Sequence, residues 1–229
     1  MFGRRSFFTK GLWSLLGLGL GANACAPKKE STIKNPNQNP NSSKALPVVI
    51  ATWENEAAVA AARQRLLDGG TALDAVEAAA RVPEADPENF TVGYGGLPDR
   101  DGEVTLDACI MNEKGDAGSV TFLKNIKHPV SVARKIMEET PHVMLSGAGA
   151  LQFALANGFE KTDLLTPEAN ARWEEWLVEK EYKPAVNIER HDTIGVLAID
   201  DKGRISGACT TSGMAFKMHG RVGDSPIIG

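Results

Sequence analysis

The sequence predicts a layered α+β fold built as one domain, and three observations carry that expectation. Apolar runs of strand length alternate with helical patterns. The helical patterns carry identifiable caps. About 180 residues from Val48 onward can bury a substantial core without a second domain. The first strand is expected at Val48–Ala51, followed by a helix over 54–67 that Gly69 and Gly70 close. Thr71, with Asp74 three residues on, makes a capping box for a second helix reaching about Arg81. His128 and Pro129 open a third helix, 148–156 forms a fourth, and Thr166 with Pro167 gives the N-cap and N1 of a fifth that ends near Lys180. Asn112 to Gly115 read as a turn.

Past that fifth helix the chain reads His191-Asp192-Thr193-Ile194-Gly195, an acid and a hydroxyl residue at the start of an apolar run. Ile194, Val196 and Ala198 fall on one face of an extended segment, and Thr193, Gly195, Leu197 and Ile199 on the other, which describes a strand covered on both faces. Asp201-Lys202-Gly203 suits a three-residue hairpin loop with Gly in the left-handed region, a register that pairs Asp200 with Arg204 and sets Thr193 opposite Thr211. A two-residue loop would set Thr193 opposite Thr210 instead. Thr193 is on one reading an ordinary β-branched strand residue. On the other, a cut before it would give it a free α-amine, which titrates at about pH 8 and can take the proton of its own hydroxyl.

Beyond the hairpin, Arg221 and Asp224 stand three apart in the Gly-rich segment 220–226. They could form a structural ion pair. Alternatively, a guanidinium fork matches an α-carboxylate and a carboxylate matches an α-ammonium, so the two could grip the end of an amino acid.

At the other terminus, Arg4-Arg5-Ser6-Phe7-Phe8 precedes an apolar stretch over 11–24, too short for a comfortable membrane span and suited to an export signal of the twin-arginine type. Ala22-Asn23-Ala24 fits a cleavage site before Cys25. A lipoprotein also begins at a Cys, but its signal normally has Leu or a similar residue where Ala22 stands, so a soluble periplasmic or secreted protein is expected ahead of a lipid anchor at Cys25. The expected division is an export signal over 1–24, a flexible Asn/Lys/Ser/Pro-rich linker over 25–47, and a single globular domain in two parts, 48–192 and 193–229, that meet at Thr193.

Loss of 1–24 takes the basic residues from 25 to 22 against 29 acidic ones, a net charge of −7 that argues against a nucleic-acid partner. Cys109 and Cys209, in apolar strand-like runs, read as buried thiols rather than a disulfide. The four histidines lack zinc-site spacing, so neither metal nor cofactor is expected. Ser146-Gly147-Ala148-Gly149 lacks the lysine of a phosphate loop and reads as close strand–helix packing. Trp173 and Trp176 read as the apolar face of a helix whose solvated side carries Glu174 and Glu175.

Several ordered blocks together resemble the glycosylasparaginases. They are 192–213, from Asp192-Thr193-Ile194-Gly195 to Thr210-Thr211-Ser212-Gly213; 214–229, with Gly220-Arg221-Val222-Gly223-Asp224-Ser225-Pro226; Gly93 to Arg100; Val104 to Ala108; and Gly70 to Val76. The resemblance runs from about Val48 to the last residue.

It implies an N-terminal nucleophile hydrolase with a four-layer αββα sandwich, made as a precursor that cuts itself between Asp192 and Thr193. Thr193 would be the nucleophile, with Asp192 assisting the cut and Thr211 positioning groups. His191, beside the scissile bond, would shape it. Arg221 and Asp224 would bind substrate, and Trp53 matches a further site residue. The substrate implied is asparagine N-glycosylated by N-acetylglucosamine, split into aspartate and an aminosugar. The two cleaved parts would remain an α/β pair and assemble further as a homo-oligomer.

Plant-type asparaginases and isoaspartyl peptidases usually have Gly before the nucleophile, so Asp192 favours the glycosylasparaginase branch. In the family a Thr-Gly segment further along supplies the oxyanion hole, so a chain truncated at Gly229 is expected to lack it and to be inactive as a fragment. The alternatives are an isoaspartyl peptidase or L-asparaginase on the same fold, and a non-catalytic exported remnant.

Overall fold

The structure, a computed structural model, describes residues 47–179 and 193–228. The expected export signal, linker, Cys25, His191 and Asp192 lie outside them. Six strands, β1 (Val48–Ala51), β2 (Leu106–Met111), β3 (Ala117–Leu123), β4 (Met144–Ser146), β5 (Ile194–Ile199) and β6 (Ile205–Thr211), form one sheet in the order β1-β5-β6-β2-β3-β4. Every pairing is antiparallel except β3 with β4. The helices are α1 (Glu56–Leu67), α2 (Ala72–Ala85), α3 (Pro129–Glu139), α4 (Gly147–Ala156) and α5 (Pro167–Glu179). The result is a mixed α and β architecture with helices against the sheet.

The hairpin forms in the three-residue register. Ile194 pairs with Thr210 and Ile199 with Ile205, while Asp200 N–H bonds Arg204 O and Gly203 N–H bonds Asp200 O. Asp200 locks this turn: Oδ1 accepts from Lys202 N and Arg204 N, and Oδ2 accepts from Arg204 Nε at 2.7 Å and from Ala72 N at 3.3 Å. Burial pulls this carboxyl upward, but the Arg204 backbone and guanidinium and the Ala72 and Lys202 amides outweigh it and hold the pKa below 3.8.

A lowered carboxylate pKa supplies stability that is present above the unfolded value and lost as pH falls through the folded one. Asp200→Ala is therefore expected to cost about 3 kcal/mol near neutrality. Relative to wild type, the loss shrinks below pH 3.8, as urea midpoints across pH will show.

The two faces of the sheet differ. Ala51, Val196, Ala208, Ile110 and Gly118 lie side by side across five strands on the face that α1, α2 and α3 cover. Alanines of α2 and Val130, Val132, Ala133 and Ile136 of α3 fill that core. Each buried Val or Ile contributes about 1.5–3 kcal/mol. On the opposite face the neighbouring row Ile50, Leu197, Gly207 and Met111 leaves Ile50, Leu197 and Met111 exposed, and Val48 and Ile205 are exposed beside them.

Thr71 and Asp74 form the capping box of α2, Pro129 stands in the first turn of α3, and Thr166 Oγ1 accepts from Ala169 N at the start of α5. Asn112 to Gly115 turn as expected, with Gly115 N–H on Asn112 O. Helix α1 starts two residues later than the pattern suggests because Asn55 caps it. Helix α2 runs past Arg81 through Pro83 to Ala85. Proline removes one intrahelical bond; here Pro83 and Glu84 are both buried, and Glu84 ties the helix to its neighbours by accepting from Thr210 Oγ1 and from Val130 N at the open N-terminus of α3.

The expectation of close packing at Gly147 and Gly149 is corrected. Among the described residues, no atom outside its own helix and chain neighbours stands within 4 Å of a Cβ at Gly149, and at Gly147 only the Phe122 ring edge does, at 3.9 Å; Gly147 is instead required by its φ of +54°. Trp173 packs on Gly102 and Trp176 stacks on Phe216, with Glu174 and Glu175 exposed. Cys109 and Cys209 are free thiols directly opposite each other on β2 and β6, half-buried rather than fully so. Burial pushes the Cys109 thiol up to about 12.

Candidate active site

Three strand ends meet around Thr193. The hairpin inserts between β1 and β2, so β5 begins beside the end of β1 and β6 ends beside the start of β2. Thr193 precedes β5, and the observed register carried one residue further sets it opposite Thr211, which pairs with Asp107 on β2. A hydroxyl, a hydroxyl and a carboxylate thus stand in one row across the sheet.

Thr193 is gripped at both ends. Its carbonyl oxygen accepts from Trp53 Nε1 at 2.6 Å and from Thr52 Oγ1 at 3.3 Å. Thr52 also bonds Gly195, two residues on, both ways: its N–H reaches Gly195 O, and Gly195 N–H reaches Thr52 Oγ1, each at 3.0 Å. These donors fix the residue itself, since the expected scissile carbonyl belongs to Asp192. Thr193 Oγ1 lies 3.1 Å from Ser225 Oγ. Thr211 Oγ1 donates to Thr91 O at 3.3 Å and accepts from Gly213 N at 2.8 Å, which orients it at the end of β6.

The segment after β6 folds back over the exposed sheet face. Ser119 Oγ on β3 donates to Pro226 O at 2.6 Å, and Ile227 N–H closes a turn on Asp224 O. Gly213 has φ +75°, and a Cβ there would meet Lys217 Nζ at 2.7 Å and Arg221 NH1 at 3.1 Å. Two cationic ends therefore face one spot just past Thr211, and glycine is the residue that leaves them room.

Lys217 is wholly buried, donating to Ser212 O at 2.7 Å and Thr105 O at 3.2 Å. Burial pushes its pKa down to about 8, with the Arg221 charge acting the same way and Asp107 and Asp99 opposing. Burial likewise raises the Asp107 carboxyl, against the pull of Lys217, the Phe122 amide and Arg221. Asp107 Oδ1 accepts from Phe122 N at 2.8 Å.

The structure thus brings Trp53, Thr193, Thr211, Arg221 and Asp224 to one end of the sheet, while Asp192 lies outside the described residues. Sequence reasoning did not single out Thr52, Thr91, Asp107, Lys217 or Ser225. Position alone hints at two of them, because Thr52 adjoins Trp53 and Ser225 adjoins Asp224.

Among the described residues, Asp99, Asp101 and His219 bring one possible ligand atom each within 4.8 Å. Asp99 is already engaged by the amides of Asp101 and Glu103 and by His219 Nδ1, so the trio serves as a loop clamp. No helix among the described residues is long and apolar enough to cross a membrane.

Comparison with known proteins bears on this geometry. The family described as asparaginase (Asparaginase_2) matches residues 38–229. An N(4)-(β-N-acetylglucosaminyl)-L-asparaginase of Elizabethkingia miricola is 54% identical over 227 residues, taking in 99% of this chain and 65% of that protein. The enzyme of the same description from Rattus norvegicus is 39% identical, over 82% of this chain and 63% of its own length. A plant-type L-asparaginase of Thermococcus kodakarensis is 42% identical, over 72% of this chain and 58% of its own. The chain thus spans less than two thirds of the length of these relatives. Matched along residues 38–229, which contain every strand and helix described above, the chain belongs to the asparaginase (Asparaginase_2) family.

Proposed function

We propose that the protein is an N(4)-(β-N-acetylglucosaminyl)-L-asparaginase that cuts itself between Asp192 and Thr193 and then uses Thr193 as its nucleophile. The observation that carries this reading is the clamped Thr193 at the start of β5, its carbonyl held by Trp53 and Thr52 and its hydroxyl by Ser225. In the uncut chain Thr193 Oγ1 attacks the Asp192 carbonyl carbon, a C–O bond replaces the C–N bond, and the hydroxyl proton passes to the released nitrogen. Water hydrolyses the ester and leaves the carboxyl of Asp192 and a free amine on Thr193.

That amine then takes the hydroxyl proton of its own side chain as Oγ1 attacks the side-chain amide carbon of the substrate. The proton goes on to the departing glycosylamine, and water resolves the β-aspartyl ester to aspartate. Arg221 holds the α-carboxylate of the substrate and Asp224 its α-ammonium, while Thr211 orients groups around the nucleophile. The exposed apolar row of Ile50, Leu197 and Met111 supports a four-layer αββα sandwich in which a second sheet covers this face. The cleaved parts stay together as an α/β pair within a homo-oligomer. The twin-arginine pattern supports export to the periplasm.

The test offers N-acetylglucosaminyl-asparagine, a β-aspartyl dipeptide and free asparagine to the protein, expressed with whatever polypeptide follows Gly229 in its reading frame. The glycosylated substrate is expected to show the highest kcat/KM. A preference for the dipeptide would move the protein to the isoaspartyl peptidase branch, and turnover of none of the three would favour the non-catalytic reading.

A further inference from the structure

The hydroxyl of the half-buried Thr193 meets a buried partner. Ser225, which is 4% exposed, places its Oγ 3.1 Å from Thr193 Oγ1. Behind Ser225 stands the thiol of Cys209, near enough for the Ser225 hydroxyl to act on its titration. Cys209 is two residues before Thr211 on β6 and opposite Gly195 on β5, so it points to the same sheet face as the Thr193 row. The peptide after Ser225 is anchored as well: Pro226 has a fixed φ, and its carbonyl accepts from Ser119 Oγ at 2.6 Å. Ser119 in turn lies opposite Cys109 on the sheet, beside Cys209. A buried serine set against the nucleophile by its hydroxyl, with the next peptide tied to the sheet at Ser119, is a built feature.

We propose that Ser225, backed by Cys209 and anchored through Pro226, is a catalytic residue that donates a hydrogen bond to Thr193 Oγ1, leaving the Thr193 hydrogen to the nitrogen that receives it and the remaining Oγ1 lone pair to the carbonyl it attacks. The proposal rests on the reading of Thr193 as nucleophile. A hydroxyl has one hydrogen and two lone pairs. When Ser225 gives its hydrogen to Thr193 Oγ1, its own lone pairs are left for the S–H of Cys209. Burial raises the Cys209 thiol, with the Asp224 charge adding to the rise, so the sulfur stays protonated and removes no proton from the chain of groups. Ser225 therefore gains and loses no proton overall, and the Thr193 proton still ends on the leaving nitrogen. Its contribution is to favour one χ1 well and one O–H direction of the Thr193 side chain.

The experiment compares wild type, Ser225→Ala and Cys209→Ala, each expressed with whatever polypeptide follows Gly229 in its reading frame. Three quantities are read: the rate of self-cleavage, kcat and KM per cleaved molecule with N-acetylglucosaminyl-asparagine, and the melting midpoint. Ser225→Ala is expected to slow self-cleavage and kcat about tenfold while KM stays within about twofold. Cys209→Ala is expected to lower the same two rates a few-fold and to leave KM alone.

Wild-type rates in Ser225→Ala overturn the proposal, as does a change confined to KM, which would make Ser225 a substrate-binding group. If Ser225→Ala does not fold, Cys209→Ala decides, and unchanged rates there overturn the proposal. Failure of the parent reading is seen separately, because the wild type itself would then neither cut nor hydrolyse.

Discussion

Thr193→Ala is expected to remain a single uncut chain and to lose amidase activity by about 10⁴-fold or more, the scale seen when a covalent nucleophile is removed. Both losses follow from one oxygen. Self-cleavage needs Oγ1 to become the ester oxygen, and hydrolysis needs it to carry the β-aspartyl group. The fold should survive, since the contacts from Trp53 and Thr52 go to the main-chain carbonyl of Thr193 and do not depend on its side chain. Thr193→Ser keeps the oxygen and loses the stiffening methyl, so it should still cut, more slowly. Gel mobility and turnover measured on the same preparations check both statements; a Thr193→Ala chain that hydrolyses substrate would refute the mechanism.

Arg221→Ala is expected to raise KM for the glycosylated substrate by about 30- to 1,000-fold, corresponding to about 2–4 kcal/mol for a lost charge-assisted contact in a partly buried setting. Self-cleavage should fall far less. The free substrate presents an α-carboxylate to the guanidinium, whereas the α-carbonyl of Asp192 is tied into the peptide bond being cut and offers no such charge. Arg221→Lys keeps the charge without the fork and should recover part of the affinity. Removing the guanidinium also takes a like charge away from buried Lys217, so its ammonium should titrate closer to its usual range. Steady-state kinetics beside cleavage rates separate these effects, and an unchanged KM would exclude Arg221 from substrate recognition.

Local chemistry made much of this fold legible. Asp201-Lys202-Gly203 sets the β5–β6 register, because a three-residue loop with Gly203 in the left-handed region, at φ +74°, permits one pairing, and that pairing is the one observed. The capping box at Thr71 and Asp74 and the Pro129 and Pro167 starts are likewise short-range signals, each complete within four residues. What local pattern does not encode is which strand lies beside which. The placement of β1 against β5 brings Thr52 and Trp53 to Thr193 across about 140 residues of chain, as the hydrogen-bond separations of 141 and 140 record. No periodicity reports that. Strand β4 escaped notice because three residues at a sheet edge give no alternation to read.

The site was legible for a related reason and to a related extent. The hairpin pattern sets Thr193 opposite Thr211 and the Gly-rich loop holds Arg221 and Asp224 together, but the roles expected of all four come from the resemblance. Ser225 and Asp107 are polar residues of ordinary type whose importance lies in what the sheet sets beside them. Asp107 enters the row of Thr193 through the β2–β6 pairing, and Ser225 reaches Thr193 through a loop anchored at Ser119.

The most direct test of the central claim is the intact mass of the protein purified with whatever polypeptide follows Gly229 in its reading frame, recorded over time after expression. The account predicts two fragments, one of which begins at Thr193, appearing in step with amidase activity. A folded chain that stays whole through prolonged incubation, or one that cuts at another bond, would contradict it.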